Sequence, residues 1–447
     1  MRLNRFHFLN RFLKTGGDLL QNRHPGQLII QLTDQCNATC PHCGMRVTNR
    51  YKRRHLDLDR VKQIIDQAAQ NNVAALSFTG GEPMLRRKDL TALIAHAHQA
   101  GIPFIRTGTN GFFLAHSTAD RDRFHTEITE IASGLANANL RNFWISVDSC
   151  EPEVHDTMRG FTGLFKGIET ALPIFHSHSL YPSVNLGINR NVGGKLTSTL
   201  SPEDFQDPRA YLDTFRERYT KALDRFYRRV IDMGFTILNT CYPMSVDPNE
   251  KNGMQAVYAA TAEDRLVKFS HGEKAILFEV LMDCVKKFRS KIRIFSPLTS
   301  LYTLHRHYEG TLPLRHPAAA CRGGIDFFFI DAQSGHTFPC GYRGGEDMGA
   351  YPDLNLRAID TRRECRLCDW ECFRDPSELF SSFLQLPHQP IQLARRCKED
   401  LKYLEYWISD INYYRSCDFF DGRKPPSYES MARRQNARSC EPFVFSY

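Results

Sequence analysis

Cys36-Asn-Ala-Thr-Cys40-Pro-His-Cys43 is followed, after 36 intervening residues, by Gly80-Gly81-Glu82-Pro83. Soft thiolates select iron–sulfur clusters, zinc or copper(I). A cubane cluster is ordinarily held by four thiolates; three in one loop would hold three irons and leave the fourth open. Zinc would need a further ligand, which His42 or His55 offers. On spacing alone, iron–sulfur, zinc and plain thiols all stay open.

Outward from the triad, Gln27 to Thr33 reads as a strand. The cysteines then lie in the loop leaving its carboxyl end, where parallel barrels keep their chemistry. Leu58 to Asn71 carries Val61, Ile64, Ile65 and Ala68 on one helical stripe. Strands are expected at 73–79, 102–107, 142–148, 183–189 and 235–240, with helices between them. One of these carries Phe215, Tyr219, Ala222, Phe226 and Val230 in register. Strands alternating with helices imply a parallel sheet with right-handed crossovers. Gly80 and Gly81 suit a backbone that approaches a ligand closely or adopts positive φ.

Together these features resemble the radical S-adenosylmethionine (SAM) superfamily, whose signature is C-x3-C-x-aromatic-C. Cys36, Cys40 and Cys43 match its ligand positions, and His42 stands at the aromatic one. The resemblance covers roughly residues 26–245 and implies a partial (β/α)6 barrel. It also implies a [4Fe-4S] cluster whose open iron chelates SAM and cleaves it to a 5′-deoxyadenosyl radical. By the same resemblance Gly80, Gly81, Glu82 and Pro83 serve the SAM amino group. Asn110, Ser146, Asp148 and Asn189 are expected around the cofactor, with Asp148 as a plain helix cap the alternative. Arg159 is expected either to pair with a carboxylate or to lie on the surface.

A second cysteine group follows. Ile325 to Ile330 and His336 to Cys340 read as a hairpin turning at Asp331 to Gly335, which brings Cys321 towards Cys340. Cys365-Arg-Leu-Cys368 and Cys372 complete the group. The opening C-x13-G-x4-C resembles the SPASM or twitch extension of radical SAM enzymes. The run C-x2-C-x3-C is one cysteine short of the full SPASM pattern. The resemblance implies one auxiliary [4Fe-4S] cluster on four of Cys321, Cys340, Cys365, Cys368 and Cys372. Structural zinc is the alternative. Cys397, Cys417 and Cys440 read as core thiols.

With 447 residues and a net charge of +8, a barrel plus an extension fits the chain. The expected division is an N-terminal extension at 1–25, the barrel at 26–245 and a bridging helical segment at 246–320. A cysteine-rich hairpin and helix extension follows at 321–390, then a polar tail at 391–447. Clustered cysteine spacings argue for metal in a reducing compartment, hence the cytoplasm. No apolar run is long enough to span a membrane. The basic stretch Arg46 to His55 either lines the substrate entrance or is a solvated loop.

The expected activity is a radical SAM oxidoreductase or maturase. Its substrate is a small molecule, a lipid or a peptide, and the outcome is oxidation, cross-linking or epimerisation. A peptide or protein maturase of the sulfatase-maturase kind is the alternative within the class. A reduced flavodoxin or ferredoxin is the expected electron donor, and Cys241 a candidate proton or hydrogen donor. The rival from another class is a zinc-stabilised nucleic-acid-binding or structural protein; no stable nucleic-acid partner is expected otherwise.

Overall fold

The computed structural model describes residues 14–24, 26–43, 52–117, 120–243, 265–311, 320–363, 365–366 and 368–436. The expected boundary near residues 245–252, most of the basic stretch, residues 1–13 and Cys440 lie outside these.

Among the described residues, a nine-stranded sheet organises the fold, in the order β7-β6-β5-β4-β3-β2-β1-β8-β9. Strands β1 (Gln27–Thr33), β2 (Ala75–Gly80), β3 (Phe104–Thr109), β4 (Asn142–Ser146), β5 (Ser183–Gly187) and β6 (Ile237–Cys241) follow one another in space as in sequence. All pair in parallel. These are the six expected strands. The sheet extends beyond them at both edges. The two-residue β7 (Arg293–Ile294) adds in parallel to β6. The hairpin β8 (Phe327–Ile330) and β9 (Thr337–Phe338) adds to β1, with β8 parallel to it. The cysteine-rich hairpin is thus part of the barrel sheet.

Helices α1 (Leu58–Gln70), α2 (Arg87–Gln99), α3 (Arg121–Asn137), α4 (Pro152–Arg159), α5 (Leu164–Ser177) and α6 (Pro208–Asp232) lie between the strands. Some of them start at an aspartate cap. Asp57 caps α1 through the amides of Asp59 and Arg60, and Asp120 caps α3 through Arg123. Phe215, Tyr219, Ala222, Phe226 and Val230 of α6 are all fully buried, as their spacing predicts. In α7 (His271–Phe288) a capping box joins Ser270 to Glu273. α8 (Leu298–Glu309) packs on α7.

The segment expected to be an uninformative polar tail is helical. α9 (Glu371–His388) leads up to it, and α10 (Pro390–Glu399), α11 (Leu401–Ser416) and α12 (Tyr428–Asn436) run through it. Tyr413, Cys417, Phe420 and Met431 form a small core against Ile237 of β6. Tyr403, Tyr406 and Tyr413 are buried among charged neighbours in sequence, so the composition reads as polar although the rings are inside. Among the described residues, no helix is long and apolar enough to cross a membrane.

Candidate active site

The cysteine loop leaves β1 at Thr33 and is tied down on both sides. Asp34 is fully buried and accepts from the Arg54 amide at 2.6 Å and from the Gln333 side chain. Gly81 donates to the Thr33 carbonyl and Glu82 to that of Gln35, each at 2.7 Å. Cys36 is exposed, Cys40 buried and Cys43 half-buried. Donors from three places face the first two sulfurs. The Ala38 amide lies 3.5 Å and Asn110 Nδ2 3.7 Å from Cys36 Sγ, while Arg159 Nη1 lies 3.7 Å from Cys40 Sγ. Such donors suit anionic sulfur. Burial, reinforced by Asp148 and the other two cysteines and opposed by Arg159, pushes the Cys40 thiol up to about 12, and the partial enclosure of the Cys36 sulfur, with Glu82 and Cys43 nearby, raises it as well. A bound metal is what would hold them as thiolates, so these residues fit a thiolate-ligated cluster.

Gly80 and Gly81 do not take positive φ, contrary to expectation. Their need for glycine is steric and internal. A Cβ would stand 2.2 Å from the Thr33 carbonyl oxygen at Gly80, and 2.2 Å from that of Gln35 at Gly81. The motif therefore presses its backbone onto the cysteine loop. Pro83 opens a short 3-10 turn capped by Glu82. Glu82 is 1% exposed and joins that turn to the end of β3. It accepts from the Met84 amide at 3.0 Å, Thr109 Oγ1 at 2.9 Å and the Asn110 amide at 2.6 Å. A carboxylate offers about four acceptor sites, so one further donor can be taken. Burial raises its pKa to about 7. A ligand ammonium would supply a missing positive charge.

Asn110 holds the loop from the side, bonding Asn37 Oδ1 at 3.0 Å as well as facing Cys36. Past β4, Asp148 is fully buried. Arg159, at the end of α4, reaches its carboxylate with Nη2 at 2.7 Å and Nε at 2.6 Å. Burial opposes ionisation of Asp148, but Arg159, with His42 and His155, holds it below the usual aspartate range. His155 is fully buried and burial pushes it down to about 4. His42 Nε2 lies 3.9 Å from Asp148, so the ring at the aromatic position joins this network. Arg159 is thus an interior residue bridging Asp148 and Cys40. Asn189 is turned inward, 1% exposed, and donates to the Asp148 and Gly187 carbonyls at 2.9 and 2.8 Å. The polar ends of Asp148 and Asn189 are therefore engaged within the protein. Ser146 is half-buried at the end of β4.

Among the five distal cysteines, four sit together. Cys321 pairs with Cys365 through a backbone bridge, its amide donating at 2.9 Å. Cys321 and Cys368, both pushed up first by burial, each feel Cys340, and Cys368 also feels Cys321. Amides of Gly323 and Tyr342 lie 3.4 Å from the sulfurs of Cys321 and Cys340. Cys372 faces elsewhere. Its Sγ lies 3.6 Å from Glu371 Oε1, and its charged neighbours are Glu371, Arg106 and Asp375. Among the described residues, no three Cys, His, Asp or Glu side chains converge as they would around one metal ion.

Cys241 ends β6 inside the barrel, donating to Asn185 Oδ1 at 3.3 Å. Burial, with Glu371 and Cys372 beside it, holds it well above the ordinary thiol range, so it stays protonated. Sequence reasoning missed what surrounds it. Glu371 and Asp375 are one turn apart on α9, a spacing that puts both on one face. Glu371 accepts from the Tyr242 amide at 3.3 Å, and Asp375 from the Tyr242 hydroxyl at 3.0 Å.

Burial, with Glu371 nearby, pushes Asp375 up to about 8, although the Ser300 and Tyr242 hydroxyls oppose it. The folded protein therefore keeps a proton that the unfolded chain releases near its usual aspartate value. Stability drains as pH rises between those limits. Asp375→Asn keeps the Tyr242 bond without the charge. It is expected to raise stability by on the order of 2 kcal/mol at pH 8. Thermal midpoints should show the gain growing from about pH 4 to pH 8 and levelling above.

The family model described as the radical SAM superfamily matches residues 30–188. Among curated relatives, the chain is 32% identical over 154 residues to GTP 3′,8-cyclase of Vibrio parahaemolyticus, covering 33% of this chain and 42% of the relative. It is 26% identical over 175 residues to AdoMet-dependent heme synthase of Methanosarcina barkeri, covering 39% and 46%. To PqqA peptide cyclase of Xanthomonas oryzae it is 29% identical over 137 residues, covering 31% and 33%. The chain spans less than half the length of each of these relatives. Among solved structures, Streptococcus suis SuiB bound to precursor peptide SuiA has a TM-score of 0.48 at 14% identity, covering 80% of this chain and 70% of that one. Native anSMEcpe with bound AdoMet has a TM-score of 0.49 at 13% identity, covering 84% and 100%. Neither likeness is close enough to decide a role for any residue.

Proposed function

We propose that this chain, whose residues 30–188 match the radical SAM superfamily, is an enzyme built around a cluster on Cys36, Cys40 and Cys43. When bound there, a four-iron cluster with SAM on its open iron supplies a 5′-deoxyadenosyl radical. The observation that carries the reading is the ring of donors from Ala38, Asn110 and Arg159 on the sulfurs of Cys36 and Cys40. Beside them lies the buried Glu82 carboxylate, with acceptor capacity for one more donor.

In this reading Glu82 and the backbone of Gly80 to Pro83 receive the SAM amino group. Ser146 faces the cofactor from β4. Asn110, Asp148, Arg159 and Asn189 position that wall, and His42 packs beside it. The four neighbours Cys321, Cys340, Cys365 and Cys368 would hold an auxiliary cluster. The substrate, a small molecule, lipid or peptide, would enter the barrel between the two cysteine groups. There Cys241 carries a hydrogen that burial keeps on sulfur. A reduced flavodoxin or ferredoxin in the cytoplasm would supply the electron.

The test is formation of 5′-deoxyadenosine from SAM by anaerobically reconstituted, dithionite-reduced protein. The wild type should form it, and Cys36→Ala/Cys40→Ala/Cys43→Ala should not rise above background. A wild type that leaves SAM intact after reconstitution would overturn the reading.

A further inference from the structure

Along β3 to β6 the side chains alternate between two environments. Ile105, Phe143, Val184 and Leu238 are buried under the helices. Arg106, Trp144, Asn185, Asn239 and Cys241, on the other face, are half-buried and look into the barrel. The interior has room. A Cβ on Gly187 would meet nothing within 4 Å. Gly108 is bare because Trp144 lies across it, with the indole 1.8 Å from where a Cβ would stand.

Arg106 is unusual among these residues. Four interior guanidinium groups in this protein have carboxylates: Arg159 has Asp148, Arg190 has Glu273, Arg322 has Asp326 and Arg396 has Glu378. The buried Arg293 is instead taken up by Thr236 and the Asp421 carbonyl. Arg106 donates through Nε to Ser77 Oγ. Among the described residues it makes no ion pair, and its two terminal nitrogens have no hydrogen-bond partner and are not sealed off from open space. A guanidinium left this way in a protein interior presents a two-pronged donor to a planar or tetrahedral oxyanion.

The acids sharing the interior do not fill that role. Glu371 is engaged by the Tyr242 amide and the Cys372 thiol, and Asp375 by the Tyr242 hydroxyl. The Cys372 thiol lies within electrostatic reach of both Arg106 and Glu371. An anion entering the barrel therefore meets the open end of Arg106 at β3.

We infer that Arg106 anchors an oxyanion subsite inside the barrel, which takes a carboxylate or phosphoryl group of the substrate. This rests on the radical SAM reading, since that reading makes the barrel interior the substrate chamber. It narrows the substrate to one with an anionic group near the carbon that loses hydrogen.

The test uses full-length, anaerobically reconstituted protein. Glutarate and pyrophosphate are titrated separately by calorimetry at matched ionic strength into wild type, Arg106→Lys and Arg106→Gln. At least one probe should bind wild type at one site. Its affinity should fall at least tenfold in Arg106→Gln and by an intermediate factor in Arg106→Lys. Glutarate alone binding would assign a carboxylate, and pyrophosphate alone a phosphoryl group. Should a variant fail to fold, phenylglyoxal labelling of the wild type decides. Saturating probe should slow labelling of Arg106 at least fivefold, read by mass spectrometry, and leave the exposed Arg209 unaffected. No binding of either probe, or equal affinity in wild type and Arg106→Gln, would overturn the subsite. Absence of 5′-deoxyadenosine formation by the same wild-type preparation would instead sink the reading beneath it.

Discussion

Replacing Cys36, Cys40 and Cys43 together with alanine is expected to lower the iron of anaerobically purified protein from about eight atoms to about four, with a matching loss of sulfide. The remainder should belong to the distal group. Cys321 lies by Cys365 and Cys340, and Cys368 by Cys321 and Cys340, whereas Cys372 faces Glu371 and Cys241. Cys368→Ala should therefore cost iron in the background of the triple variant, and Cys372→Ala should not. Four irons falling to none in the triple variant would make the distal cysteines structural or zinc-bound. A colourless protein carrying only zinc after attempted reconstitution would remove the cluster chemistry altogether.

The second large effect is expected at a buried ion pair. Lys274 of α7 meets Asp369 at 2.9 Å, with the two side chains 2% and 4% exposed. Asp369 follows Cys368 directly and also accepts from the Tyr308 hydroxyl at 2.6 Å. Lys274→Met would leave the carboxylate buried without its cation, a loss of about 3–5 kcal/mol. Against a typical total of about 5–15 kcal/mol, that is enough to shift the folded population visibly. Urea denaturation should show a lower midpoint. Lys274→Met/Asp369→Leu should recover most of the loss, because the penalty lies in the stranded charge. If the single and double variants match, the pair is not what holds α7 to the cysteine-rich extension.

The barrel was legible because its strands are apolar runs ending at the features that read as loops. β1 runs into the cysteine triad, β2 into Gly80-Gly81-Glu82-Pro83 and β3 into Asn110-Gly111. The same patterning hid β7, which is two residues long and has Arg293 as one of them. Only its bonds to Thr236 and to the Asp421 carbonyl account for that buried arginine. The glycine motif was read for ligand contact, while the space it lacks is taken by the carbonyls of Thr33 and Gln35. That crowding comes from a loop placed by tertiary structure, which spacing does not carry. Cys372 is the fifth candidate ligand by its nearness to Cys368 in sequence. The helical turn opening α9 carries it round to the barrel interior. Glu371, Asp375 and Arg106 were passed over for a related reason. Each looks ordinary alone, and their meaning comes from facing one another across elements far apart in sequence.

The pairing of β8 with β1 has a mechanical consequence. Four residue pairs, from Gln27 with Phe327 to Ile30 with Ile330, stitch the hairpin that leads to Cys340 onto the strand that launches Cys36. The two cysteine groups thus ride on adjacent rungs of one ladder. A tunnelling gap between occupants of the two groups would be set by strand geometry and would stay nearly constant through turnover. Any gating of electron flow would then have to act on energy levels, or on what stands between, because this connection offers little freedom to act on distance.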